Sequence, residues 1–82
     1  MQAHLVQHLP RKKVRRFYIL YITPTLFGEW ALIHEWGRLG RRGRRKEEWF
    51  ASSTDAGHAA AAILAEKTEL GYKQRPIQLK LF

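Results

Sequence analysis

The stretch Trp36-Gly37-Arg38-Leu39-Gly40-Arg41-Arg42-Gly43-Arg44-Arg45-Lys46 sets the terms on which this chain can fold. Six of the nine residues from Arg38 to Lys46 are Lys or Arg, and Gly37, Gly40 and Gly43 punctuate the whole stretch from Trp36. Charge at that density has to stay in water. The glycines let the backbone bend sharply and approach a partner closely. The run therefore reads as a hairpin connection between two strands, with Gly40 and Gly43 as the sites for positive φ. A flat ring beside flexible backbone and fixed positive charge suits a nucleotide sugar and its phosphates. Trp36, Gly37, Arg38, Arg41, Arg42, Arg44, Arg45 and Lys46 are accordingly the candidate nucleic-acid-binding residues.

Strand signals flank this connection. Phe17-Tyr18-Ile19-Leu20-Tyr21-Ile22 is aromatic and β-branched, and Pro24 cannot continue a ladder. Gly28 completes a turn. Glu29 to Trp36 alternates as a second strand, with Trp30, Leu32, His34 and Trp36 on one face and Ala31, Ile33 and Glu35 on the other. Arg45 to Phe50 reads as a third strand whose Trp49 and Phe50 enter the core. Trp36 itself reads equally as a core residue of its strand and as part of a binding wall, which Trp30 would extend.

A helix follows. Ser52 and Asp55 have the spacing of a capping box. The alanine-rich segment from Asp55 to Leu70 places Ala56, Ala60, Ile63, Leu64 and Leu70 near one stripe, with Lys67 reaching from its edge. Gly71 suits a left-handed stop. The closing segment from Pro76 to Phe82 fits an edge strand or an apolar tail. At the other end, residues 1–14 read as a basic N-terminal arm, removable without loss of the fold, and residues 15–82 as a single domain. The arm cations and their neighbours, Arg11, Lys12, Lys13, Arg15 and Arg16, are either a solvated tail or additional nucleic-acid contacts.

The 82 residues allow one small core, and a hydrophobic content of 45% is enough for a compact globule. The net charge is +8, and eleven of the fifteen Lys and Arg fall in the segments Arg11–Arg16 and Arg38–Lys46. Clustered charge recruits anions, whereas dispersed charge mainly confers solubility. There is no cysteine, so disulfides and thiolate metal sites are excluded and a reducing compartment is expected. The start has no positive segment ahead of an apolar run, and no stretch approaches the ~20 apolar residues that span a bilayer. An intracellular, cytoplasmic protein without membrane association is expected.

Catalytic and metal chemistry find little support. His4 and His8 have i,i+4 spacing, but their segment is not helical in pattern and no third ligand lies near, so they read as surface histidines. The carboxylates sit among basic residues or near helix ends, where pairing and capping account for them; Glu35 is placed to pair with a loop arginine. No serine has a nucleophile-elbow pattern. Gly40-Arg41-Arg42-Gly43 lacks the lysine and helix start of a P-loop. No enzyme activity, metal or cofactor is expected.

Taken in order, these residues resemble a WGR domain, the module found in poly(ADP-ribose) polymerases and in bacterial proteins. The resemblance rests on Phe17-Tyr18, Trp30 to Ile33, Trp36-Gly37-Arg38-Leu39-Gly40, Gly43, Phe50-Ala51-Ser52, the helix, and Lys67 with Gly71-Tyr72. It implies an α+β fold, a small antiparallel sheet with one long helix packed across it. In the polymerases the module contacts DNA near strand breaks. Its tryptophan packs against nucleotide and its arginine links DNA-bound modules to the rest of the enzyme; by position these roles fall on Trp36 and Arg38. No polymerase catalytic domain or zinc finger stands in these residues, so binding is the part of the role that carries over. The expectation is a stand-alone nucleic-acid-binding module, with DNA favoured over RNA. The alternative is a protein-interaction adaptor that does not touch nucleic acid.

Overall fold

A computed structural model of the chain describes residues 2–75. Its elements are β1 (Gln2–Leu9), a 3-10 turn (Pro10–Lys12), β2 (Val14–Pro24), β3 (Trp30–Arg38), β4 (Arg44–Phe50), α1 (Ser53–Glu69) and β5 (Lys73–Arg75). The strands form one sheet in the order β4-β3-β2-β1-β5, antiparallel throughout. The helix lies across one face, so the fold is α+β, as the sequence implies.

Register assigns the faces. Leu5 is opposite Tyr18 and Ala3 opposite Leu20. Tyr18 is opposite Trp36, Leu20 opposite His34 and Ile22 opposite Leu32. Because strand side chains alternate, this set shares the face beneath α1. Leu5, Leu20 and Leu32 are fully buried there, each contributing ~1.5–3 kcal/mol by leaving water. Ala56 and Ala60 are the buried residues of α1, and their small size lets the helix sit close to the sheet. Ile63 and Leu64 pack at the edge of this core, whereas Leu70, expected in the stripe, is exposed where the helix ends.

The helix boundaries follow local chemistry. Ser52 Oγ accepts from the Asp55 N–H at 3.1 Å, satisfying one of the amides that a helix start leaves open. At the other end Gly71 takes φ +92. Its N–H reaches Thr68 O at 3.1 Å, and the Tyr72 N–H reaches Lys67 O at 3.0 Å, a Schellman closure. Gln7 Nε2 then donates to Leu70 O at 2.6 Å and ties the helix end to β1.

Two expectations are corrected. Residues 2–9 are not an arm; they form β1, hydrogen-bonded to β2 on one side and β5 on the other. The alternation puts Ala3 and Leu5 under the helix and Gln7 at its end, a pattern too short to stand out before the basic run. The boundary at residue 14 therefore falls inside a β1–β2 hairpin. Trp49 is also not core: it is 51% exposed on the face away from α1, while Phe50 packs against the core. The expected strand over residues 76–82 lies outside the described residues.

This placement of β1 has a direct consequence for stability. Deleting residues 1–13 is expected to abolish cooperative thermal unfolding, and Leu5→Ala to cost about 2–5 kcal/mol in urea titration. A truncated chain that melts like the full one would return these residues to an arm.

Candidate nucleic-acid interface

The strand directions bring the two basic segments together. The β1–β2 turn and the β3–β4 loop lie at the same end of the sheet, and Arg16 is the direct cross-strand partner of Arg38. The Leu39 N–H donates to Arg15 O at 3.0 Å, so the ladder continues into the loop. A shallow depression of about 450 Å³ lies between the turns, lined by His8, Pro10, Lys13, Arg15 and Leu39. The β1–β2 turn is tight: the Lys13 N–H bonds Pro10 O at 3.2 Å, and Lys13 is held at φ +51.

Nine cations occupy this end: Arg11, Lys12, Lys13, Arg15, Arg16, Arg38, Arg41, Arg42 and Arg44. Among the described residues none of them is in a salt bridge, and no Asp or Glu falls in 10–16 or 38–44. Arg45 and Lys46 differ. Arg45 bonds Glu47 at 2.9 Å and lies 3.7 Å from Glu35, and Lys46 bonds Glu48 at 3.0 Å. Strand alternation turns Arg45 to the open face and Arg44 and Lys46 to the helix face. The pairing of Glu35 with an arginine is thus seen, and two of the eight candidate loop-region residues are already neutralised in part.

The Trp36-Gly37-Arg38 triplet is divided between faces by the same alternation. Trp36 points to the helix side, where its ring stacks on Tyr18 with centroids 5.9 Å apart and planes at 19°. Gly37 faces the other way. A Cβ there would lie 3.0 Å from Gly43 Cα and 3.4 Å from Phe17 Cε1; a Cβ on Gly43 would lie 2.8 Å from Trp36 O and 2.9 Å from Phe17 Cζ. The Phe17 ring and the two glycines therefore close the base of the loop. Gly40 has the expected positive φ, at +83, but Gly43 does not; it is needed for closeness rather than for backbone hand. Arg38 returns to the helix side beside Arg16.

Below Trp36 a cleft of about 500 Å³ opens between sheet and helix, with Trp36, Tyr72, Lys46, Lys67 and Glu66 among its lining residues. Lys67 Nζ sits 4.7 Å above the Tyr18 ring, a cation–π contact. Tyr18 Oη and His34 Nδ1 are 2.8 Å apart. His34 is buried, and its Nε2 has no hydrogen-bond partner among the described residues, with Glu48 Oε1 3.8 Å away. Burial pushes the His34 pKa down, Glu48 opposes this, and Lys46 and Lys67 add to the lowering. Burial also raises the Tyr18 pKa, reinforced by Glu66 and Glu48.

Comparison with known proteins agrees with this architecture. The family profile of the WGR domain matches residues 1–78. The chain belongs to the WGR domain family. That family is one of nucleic-acid-binding modules. An uncharacterized protein of Sinorhizobium fredii, y4dW, is 34% identical over 67 residues, covering 82% of this chain and 33% of that protein. The chain thus spans about a third of the length of this relative. Among the described residues no helix is long and apolar enough to cross a membrane.

In this WGR domain the candidates Arg38, Arg41, Arg42 and Arg44 gather with Arg11, Lys12, Lys13, Arg15 and Arg16, which belong to a hairpin rather than an arm. Trp30 does not extend the Trp36 wall. It shares the face but lies about 20 Å along the strand, at 3.3 Å per residue, opposite Pro24 and Phe50. Nothing in the sequence marks His34 and Glu48 as a pair, because only register brings them together beside Tyr18.

Two outcomes follow. Gly43→Ala should destabilise the domain by about 1–3 kcal/mol, since backbone and ring must both move; an unchanged denaturation midpoint would contradict the close packing. His34 titrates below its ordinary 6.5 when folded, so the unfolded chain binds the proton more readily. Its stabilising contribution is complete above pH 6.5 and lost as pH falls through the folded value. Urea midpoints should fall between about pH 7 and about pH 5, and less steeply in His34→Gln.

Proposed function

We propose that this WGR domain binds DNA through its basic end, gripping phosphates with the cations of the two turns and placing Trp36 against a nucleotide. The observation that carries the reading is the gathering of nine cations at one end of the sheet, none of them paired with a carboxylate among the described residues. Like charges so close repel, and a bound polyanion relieves that repulsion. Trp36 is partly exposed, and one of its faces rests on Tyr18. A ring so backed is pre-organised for stacking, because little side-chain freedom remains to be lost on binding. The neighbouring helix-side arginines, Arg16, Arg38 and Arg44, supply phosphate contacts on the approach to that ring. The site has no concentration of Asn or Gln for reading base edges, so affinity should depend little on sequence.

The test is fluorescence anisotropy with duplex, nicked, single-stranded and 5′-phosphorylated oligonucleotides over a range of salt. If four to six phosphates are held on duplex DNA, log affinity against log salt should have a slope of about −3.5 to −5.5. Arg41→Ala should reduce that slope by about one. Trp36→Ala should weaken binding by about 1–3 kcal/mol with the slope kept; its stability must be measured on the same protein, because the ring also packs on Tyr18. A slope near zero, or an association that persists through nuclease and high salt, would replace this reading with the protein adaptor.

A further inference from the structure

The basic end has two sides, and Trp36 occupies one of them. The helix side carries Arg16, Arg38 and Arg44 on the approach to the ring. Register places a different set on the face away from α1. His8 is the direct cross-strand partner of Arg15, and Val6 stands between Phe17 and Lys73. Leu39 joins them, because its N–H bonds Arg15 O at 3.0 Å; its side chain is 45% exposed. The depression of about 450 Å³ between the turns adjoins a second of about 430 Å³, lined by Val6, His8, Arg15, Leu39, Gly71 and Lys73. The two share His8, Arg15 and Leu39, so they form one groove from the β1–β2 turn across β1 to the start of β5. Each is within the ~300–1,000 Å³ of small-ligand clefts. Lys13, Arg15 and Lys73 line the groove, and among the described residues none of them is in a salt bridge. Between these cations the wall is the His8 ring with the apolar Val6, Pro10 and Leu39.

We infer that this groove takes unpaired nucleotides, about one in each depression, of a DNA strand that has left its duplex. Resting on the DNA-binding reading of the basic end, this adds to it a second site and a substrate class: ends or nicks that carry an unpaired branch. Single-strand sites combine cations that track the phosphates with rings on which bases lie, and histidine is among the rings that receive an unstacked base. The groove has both parts. β1 lies between Arg15 on β2 and Lys73 on β5, so their backbones stand about 10 Å apart across the sheet at ~4.8 Å per strand. His8 and Val6 lie between them. A base still paired and stacked in a duplex offers an edge rather than a face, so the His8 ring and Leu39 serve a base that is free. The route to the groove also requires divergence. A sheet with its side chains is about 10 Å thick, the spacing at which sheets stack, and the cations on its two faces point apart. A strand led by Arg16, Arg38 and Arg44 to Trp36 stays on the helix side, and a strand that reaches His8 parts from it at the loop. The two turns thereby act as a divider between strands.

Fluorescence anisotropy of the full chain tests the groove by comparing a nicked duplex with the same duplex carrying a short unpaired thymidine flap at the nick. The flap should tighten binding about tenfold, within the worth of one stacked base. It should also steepen the salt slope by about 1.4, for two single-strand phosphates at ~0.7 each. An abasic flap of the same length should keep the steeper slope but bind more weakly than the thymidine flap. His8 and Lys73 are exposed and lie outside the nine cations. The double variant His8→Ala/Lys73→Ala should therefore melt like wild type and bind the flap-free nick unchanged, while its gain from the flap falls to about twofold or less. Trp36→Ala should keep the ratio between the two substrates, because its ring is on the other side of the sheet. A wild type that binds the flap-free nick but gains nothing from the flap overturns the inference and leaves the DNA-binding reading standing. A gain that persists in the double variant, disappears in Trp36→Ala or is equal with the abasic flap also overturns it. A wild type that binds neither substrate removes both.

Discussion

The pairing of β2 with β3 governs the arrangement of this domain, because its register places Phe17 opposite Gly37, Tyr18 opposite Trp36 and Arg16 opposite Arg38. Each of these pairs does a different thing. The first closes the loop base, with an aromatic ring laid over two glycines that leave no room for a Cβ. The second backs the Trp36 ring with another aromatic. The third joins the positive charge of two hairpins. A slip of one residue would turn Trp36 and Arg38 to the open face and bring Gly37 beneath the helix, so the register is strongly specified by the leucines buried on one side only. The packing energy of Leu20 and Leu32 thus indirectly sets the position of groups that make no contact with them.

Charge is distributed with the same economy of placement. Carboxylates stand within reach of Arg45 and Lys46 part-way down β4, and among the described residues none pairs with the turn cations. The domain is therefore polarised along its strands, with the turn cations gathered at one end. Exposed ion pairs contribute little to stability, so the pairs on β4 matter mainly for where the uncompensated charge begins. The buried Tyr18–His34 contact lies just beneath that boundary, and the lowered His34 pKa reflects both burial and the positive charge of Lys46 and Lys67.

Much of this was legible in the sequence. The Ser52 cap, the alanine stripe and the Gly71 stop are local signals, and local signals decide helices. The basic loop and the alternation of β3 were readable for similar reasons. The strand before the first basic turn was not, because Ala3, Leu5 and Gln7 carry a weak alternation and the charges from Arg11 onward dominate the segment. Nor was the meeting of the two basic segments: pairing Arg16 with Arg38 depends on which strands are neighbours, and composition is silent on that. The outward placement of Trp49 is hidden in the sequence because aromatic residues usually enter cores, yet its phase in β4 puts it on the other face from Phe50. From sequence Gly43 reads as backbone freedom, whereas the Phe17 ring that makes it necessary comes from a strand distant in sequence.

The central claim is that the two turns act as one polyanion-binding surface. Titrating the isotopically labelled chain with a short 5′-phosphorylated duplex, and following each backbone amide by nuclear magnetic resonance, tests it most directly. The account predicts that amides of residues 11–16 and 36–44 shift together along a single binding curve, while Leu26 and Phe27 remain still. Shifts confined to one of the two turns, or centred on the open sheet face around Ile33, would contradict it.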